Sequence, residues 1–179
     1  MRPSEALGRL KPEETPVKRG SETLALPLRS TLWLLLGSWL GAWLLFVAGV
    51  APTAFRVLPS TEVAGSLISP LLRGLHLYGI MAGIGIATLG LALGRRGLLL
   101  ALPLAMAAVC GFSEFWVTTN IGLVRPEAFG PGATPEAAAR FSTLHVASRS
   151  LYFAVAAGLV ATTILQTRAD LRLDAPASR

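Results

Sequence analysis

Four long stretches of this chain carry almost no charge, and each is long enough to cross a lipid bilayer as a helix. Residues 30–55, 74–94 and 150–167 contain no Asp, Glu, Lys or Arg, and residues 97–124 contain only Glu114. About 20 apolar residues at 1.5 Å each cover the roughly 30 Å hydrocarbon core of a bilayer. These segments predict membrane-spanning helices.

We predict an all-α integral membrane protein, folded as an antiparallel four-transmembrane-helix bundle. The helices are expected at about 30–52, 61–94, 97–124 and 136–167, within a membrane domain of residues 29–168. Residues 1–28 and 169–179 are expected to be cytoplasmic tails, the first of them flexible because it mixes charges with prolines.

The composition agrees with a membrane protein. Of 179 residues, 53% are hydrophobic and 15% are charged, whereas soluble domains carry about 25% charged residues. The net charge of +6 raises the question of nucleic acid, but the basic residues lie in tails and short loops between apolar segments. We therefore expect the partner surface to be the lipid bilayer and expect no nucleic acid.

The distribution of basic residues predicts the orientation. Sixteen residues are Lys or Arg, and the positive-inside rule places the side with more of them in the cytoplasm. Both termini and the second turn hold eleven: Arg2, Arg9, Lys11, Lys18, Arg19, Arg29, Arg95, Arg96, Arg168, Arg172 and Arg179. The other side holds five: Arg56, Arg73, Arg125, Arg140 and Arg149. Both termini are thus expected to be cytoplasmic, most simply at a bacterial inner (plasma) membrane.

Glycines spaced four apart predict close helix packing. The pairs Gly37–Gly41 and Gly79–Gly83 give small-residue ridges that let helix backbones approach each other. A homo-oligomer or a larger membrane complex would use the same feature. Pro103 lies within the third helix and is expected to kink it or to free a carbonyl for another partner.

Polar side chains on three helices are predicted to lie at one height. Counted from the arginine at the cytoplasmic end of each helix, the separations are 19, 18 and 19 residues for His76, Glu114 and Arg149. That corresponds to about 27–28 Å, the outer edge of the hydrocarbon. Asn120 and His145 follow about one to two turns further out. These five residues form the candidate site, with either a functional or a structural role.

The plainest account of the layer is an ion pair between Glu114 and Arg149 that locks the third helix to the fourth, since charges within membranes normally pair. Arg149 reaching to the headgroups is an alternative. His76 and His145 are weak candidates for haem or a metal such as copper, although no dedicated motif accompanies them. No cofactor is predicted. Cys110, within an apolar run, is interpreted as a small buried hydrophobic residue.

Two short motifs resemble a known family. The segment from Trp39 to Pro59, followed by Ala64-Gly65 and Leu67, is similar to the first helix and turn of the transmembrane protein 205-like family. In bacteria this family is described as domain of unknown function 4149. The segment from Phe141 to Ser148 resembles its F-x-x-L/Y-H-x-x-S element.

The resemblance extends over residues 31–165 and includes the basic-proline step Arg125-Pro126. It departs at Arg149 to Tyr152, where the family usually has an uncharged residue and then Asn. The resemblance implies a four-helix membrane protein and brings no established activity or ligand.

Three functions remain open from the sequence. The first is a non-enzymatic role in binding or transporting a small molecule or an ion, or an accessory role, at the polar layer. The second is a redox protein with haem or a metal on His76 and His145, and the third is a structural subunit of a membrane complex. No phosphate loop, nucleophile elbow or H-E-x-x-H motif points to an enzyme.

Overall fold

The computed structural model describes the backbone of residues 17–174 and the side chains of residues 24–172, and this part of the chain is helical without strands. Two of its four long helices contain a π-helical turn, where the backbone is wider than in an α-helix. The elements are α1 Val17–Leu45, a π-turn Phe46–Val50, α2 Ala51–Val57, α3 Thr61–Ala92, α4 Leu98–Phe112, a π-turn Ser113–Thr118, α5 Thr119–Phe129 and α6 Pro135–Asp174.

These elements form four continuous helices, which we call the first (17–57), second (61–92), third (98–129) and fourth (135–174). Each contains a segment long and apolar enough to cross a membrane. The segments are Leu24–Val57, Thr61–Ala92, Leu98–Phe129 and Pro135–Arg172. The four predicted helices are therefore present; the first and third loops, 58–60 and 130–134, are shorter than expected, and the second, 93–97, is longer.

The helix ends depart from the predicted tails. Residues 1–16 lie outside the described residues, but residues 17–28 are helical rather than an irregular tail. The fourth helix runs to Asp174, beyond the predicted end at 167, because Asp170 bonds to other helices. The third helix continues to Phe129 rather than ending at 124, since its last turn packs on the fourth helix.

Side chains and glycines fix the helix ends. Ser60 Oγ accepts the Val63 N–H at 3.2 Å and begins the second helix, and Thr134 Oγ1 does the same for Ala137 in the fourth. The turn between the second and third helices contains Gly94 with φ +71°, a left-handed conformation that glycine adopts without strain.

Each helix packs against the next, and the fourth also contacts the first. The core is built on the first helix, where Trp39 and Trp43 are fully buried. Its other buried members are Leu32, Leu36, Leu75, Ala82, Ile86, Met106, Cys110, Tyr152, Val155 and Leu159. Cys110 is buried in this core. A smaller cluster at the other end of the third and fourth helices contains Val124, Ala128, Ala137 and Leu144.

The two predicted glycine ridges lie in different surroundings, one packed between helices and the other exposed. A Cβ atom added at Gly83 would lie 2.5 Å from Pro103 O, and one at Gly79 would lie 2.8 Å from Cys110 Sγ, so the second and third helices are in close contact there. Gly37 and Gly41 are exposed and have no such neighbour within 4 Å. The prediction that this pair packs within the bundle is wrong, because the first helix turns its large side chains inward instead.

Pro103 has the predicted effect on hydrogen bonding. A proline removes the N–H that would bond to the carbonyl four residues earlier, here that of Leu99. Gln166 of the buried face of the fourth helix donates its Nε2 to Leu99 O at 3.4 Å. The third and fourth helices are thus joined by a bond between a side chain and the backbone.

Candidate ionisable site between the second and third helices

Glu114 lies inside the bundle, in the π-turn Ser113–Thr118 of the third helix. It is 7% exposed, and it is 16 residues from Leu98 and 15 from Phe129, which places it at mid-length of a helix about 48 Å long. π-Turns occur frequently at functional sites. A carboxylate at such a depth requires partners, because an isolated buried charge is strongly unfavourable.

His76 is the first partner of Glu114. Its Nδ1 lies 3.2 Å from Glu114 Oε2, and the imidazole is 2% exposed. His76 lies 15 residues from Thr61 and 16 from Ala92, at mid-length of the second helix. The contact therefore joins the second and third helices through two ionisable side chains, both of which are buried.

Arg73 is the second partner. Its Nε lies 3.5 Å from Glu114 Oε1, the carboxylate oxygen that His76 does not contact. The Arg73 side chain is 68% exposed, whereas that of Glu114 is 8% exposed. Arg73 therefore connects the buried pair to the outside of the bundle. His76 and Arg73 are three residues apart, so they project from one helix face.

Aromatic side chains close the inner side of the pair. The Trp43 ring lies 6.1 Å from the His76 ring and stacks on Tyr152 with 4.5 Å between ring centroids. Trp43 Nε1 donates to Tyr152 O at 3.1 Å, and the Tyr152 hydroxyl donates to Trp43 O. All four helices thus contribute to the site. Beside it, the buried Ser113 Oγ has no hydrogen-bond partner within the described residues.

The predicted pair between Glu114 and Arg149 does not form. The Arg149 side chain is exposed, and the carboxylate of Glu114 is occupied by His76 and Arg73. The rise per residue gives the height of a side chain along its helix, but it does not give the direction in which the side chain points. Arg73, placed about one turn beyond His76, provides the charge that Arg149 was expected to provide.

The other two members of the predicted layer lie apart from this site. Asn120 donates its Nδ2 to Trp116 O at 2.7 Å, a bond within its own helix. His145 is exposed and stacks on Phe141 with 6.0 Å between ring centroids. His76 instead contacts Glu114, so the two histidines belong to different clusters. The described residues contain no group of three or more His, Cys, Asp or Glu side chains arranged to hold a metal ion.

An apolar groove of about 300 Å³ lies between the first and second helices on the outside of the bundle. Its lining includes Phe46, Leu71, Gly74 and Tyr78, and no charged side chain is among the residues that form it. The groove therefore adds no charge to the site around Glu114.

Asp170, which is not among the predicted site residues, organises the opposite end of the bundle. It accepts a hydrogen bond from Trp33 Nε1 at 2.9 Å, pairs with Arg95, and lies 3.8 Å from Arg29 Nε. The first helix, the second turn and the fourth helix meet at this carboxylate. One signal was available: Asp170 follows the buried Gln166 by four residues, which puts both on one helix face.

The fold and the site together define a class, the helical bundle with membrane-length apolar helices and a buried ionisable pair. Comparison with known families, with characterised proteins and with solved structures gives no match for this chain.

Proposed function

We propose that this chain is a non-enzymatic, ion-binding membrane protein and that the ion is a proton held by Glu114 and His76. The observation that carries the proposal is the 3.2 Å contact between His76 Nδ1 and Glu114 Oε2 inside a bundle of apolar helices. Ionisable residues within membrane helices mark proton relays and ion pathways, because their burial is otherwise unfavourable.

The proton chemistry follows from the two imidazole nitrogens. When the Nδ1–H of a neutral His76 donates a hydrogen bond to the Glu114 carboxylate, the other ring nitrogen, Nε2, is the basic atom that accepts an incoming proton. The net charge of the pair then rises from −1 to 0. Arg73 contacts the Glu114 carboxylate, and the rest of its side chain is exposed. It therefore links the buried pair to the outside of the bundle.

The groups around the pair limit what else can titrate there. The second helix contributes Arg73, the third contributes Cys110 one turn before Glu114, and the fourth contributes Tyr152. The first helix contributes Trp43, which does not titrate. Among these side chains, Glu114 and His76 are the acid and the base in direct contact, at 3.2 Å, so the proposal assigns the bound proton to this pair.

The proposal includes the orientation predicted from sequence: antiparallel helices, both termini in the cytoplasm, and a bacterial inner membrane. The contacts support the antiparallel arrangement, since Trp33 bonds to Asp170 while Trp43, ten residues later, bonds to Tyr152, eighteen residues earlier. The proposal also retains the likeness to the transmembrane protein 205-like family, which supplies no activity.

Infrared difference spectroscopy on the purified protein tests the function. A step between pH 8 and pH 5 is expected to give imidazole and carboxyl bands from the buried pair that are absent in Glu114→Gln. The exposed Glu127 supplies the control, and Glu127→Gln should keep these bands. Identical difference spectra for the wild type and Glu114→Gln in the buried-carboxyl region would refute proton binding at this site.

A further inference from the structure

Among the side chains that the structure describes, those at the Asp170 end carry more positive than negative charge. Arg95 and Arg29 both lie against the carboxylate of Asp170. Asp170 is the only acidic residue among the side chains described at this end. Three further arginines at this end are exposed: Arg96, which follows Arg95, and Arg168 and Arg172, which lie two residues before and after Asp170.

Arg95 is the least exposed of these cations. It is 6% exposed, and its backbone is fixed by a hydrogen bond from its N–H to Gly90 O at 2.9 Å. A guanidinium has five N–H donors, and buried polar groups are normally hydrogen-bonded. One Arg95 nitrogen, Nη2, bonds to Asp170, but Nε has no acceptor within residues 17–174. This Nε is buried, so the positive charge that an outside anion can reach lies in the exposed arginines near Arg95.

Trp33 favours a position for this cluster at the level of lipid headgroups. Tryptophan is enriched where a bilayer meets water, and the Trp33 indole is held by Asp170 itself. Leucines next to the arginines are exposed: Leu98 is 68% exposed and Leu171 is 66% exposed. An anion bound here would thus have apolar surface beside it, which suits a phosphate attached to acyl chains.

We propose that this end of the bundle binds an anionic phospholipid, with its phosphate contacting the exposed Arg96 and Arg168 beside the buried pair of Arg95 and Asp170. Guanidinium groups bind phosphate oxygens through paired, charge-assisted hydrogen bonds. Basic clusters at the ends of membrane helices attract anionic lipids, with each arginine worth roughly fivefold in affinity. The site is separate from Glu114 and does not depend on proton binding there.

Thermal unfolding and native mass spectrometry of the full chain test this proposal. Phosphatidylglycerol is titrated into the protein in a nonionic detergent at constant ionic strength, because salt screens exposed charges. Phosphatidylcholine, with equal chains and no net charge, and inorganic phosphate are run in parallel. We expect phosphatidylglycerol alone to raise the melting temperature and to remain bound in the mass spectrum.

Variants at exposed positions keep the fold intact. Arg96→Gln and Arg168→Gln are each expected to weaken phosphatidylglycerol binding by about fivefold, whereas Arg140→Gln, an exposed arginine at the other end, should leave it unchanged. Equal stabilisation by phosphatidylcholine, or an equal loss in Arg140→Gln, would overturn the proposal. Equal stabilisation by inorganic phosphate, lost in Arg96→Gln, would also overturn it and show a site for free phosphate.

Discussion

Trp43 and Tyr152 each donate a side-chain hydrogen bond to the backbone carbonyl of the other, with their rings stacked 4.5 Å apart. This reciprocal contact ties the first helix to the fourth beside the Glu114 site. The two residues are 109 positions apart in sequence. Nothing in the sequence pattern around either residue predicts that they meet.

Replacing Tyr152 with Phe should lower the free energy of unfolding by about 0.5–1.5 kcal/mol, because the hydroxyl donor to Trp43 O is lost while the stacked ring remains. The measurement is reversible unfolding in mixed detergent micelles. Tyr78→Phe is the matched control. Its hydroxyl contacts Ser38 Oγ, which also bonds to Leu35 O, so a smaller loss is expected. Equal losses would show that the Tyr152 hydroxyl adds no specific stability.

Gly83→Ala should destabilise the bundle by about 1–3 kcal/mol, since the added methyl group would meet the Pro103 carbonyl oxygen and force the helices apart. Gly41→Ala should change the free energy of unfolding by less than about 0.5 kcal/mol, because its surroundings are open. Thermal unfolding of both variants in one detergent provides the comparison. Similar melting temperatures for the two would contradict the close packing at Gly83.

The number and placement of the helices could be predicted because they depend on where charges stop and start along the chain. That Glu114 and His76 lie at one height could also be predicted, since the rise per residue is constant in a helix, and their contact confirms it. The direction of each side chain could not. Within a turn, neighbouring positions point to different helices, and the π-turn Ser113–Thr118 changes that direction without a sequence signal.

The packing prediction for Gly37 and Gly41 was wrong for a related reason. A small-residue ridge permits close packing, but it does not decide whether that face or the opposite face turns inward. The opposite face carries Trp39 and Trp43, which fill far more of the core than a glycine ridge would. Asp170 was missed because an acidic residue among arginines near a chain end looks like part of a solvated tail.

Asp170→Ala should lower the free energy of unfolding by about 2–3 kcal/mol, because Arg95 is 6% exposed and loses its carboxylate partner. Trp33 loses its acceptor in the same variant. Chemical unfolding in detergent gives the value, and Glu136→Ala, at an exposed acidic residue, should be close to wild type. A loss no larger than that of Glu136→Ala would mean that Asp170 does not join the helices.

The orientation is tested with tags at both ends of the chain. Because eleven of the sixteen basic residues lie on the side of the termini, tags after Met1 and before Arg179 should both be protected from protease added outside intact cells. Lysis should make both accessible. Cleavage of either tag in intact cells would reverse the proposed orientation.

A double-mutant cycle tests most directly whether Glu114 and His76 act as one buried unit. Free energies of unfolding are measured for Glu114→Ala, His76→Ala and the double variant, and the same cycle is run for Glu114 with Arg149. We predict a coupling energy of about 1–2 kcal/mol for Glu114 with His76 and a value within about 0.5 kcal/mol of zero for Glu114 with Arg149. A coupling near zero for the first pair, or a larger one for the second, would contradict the account.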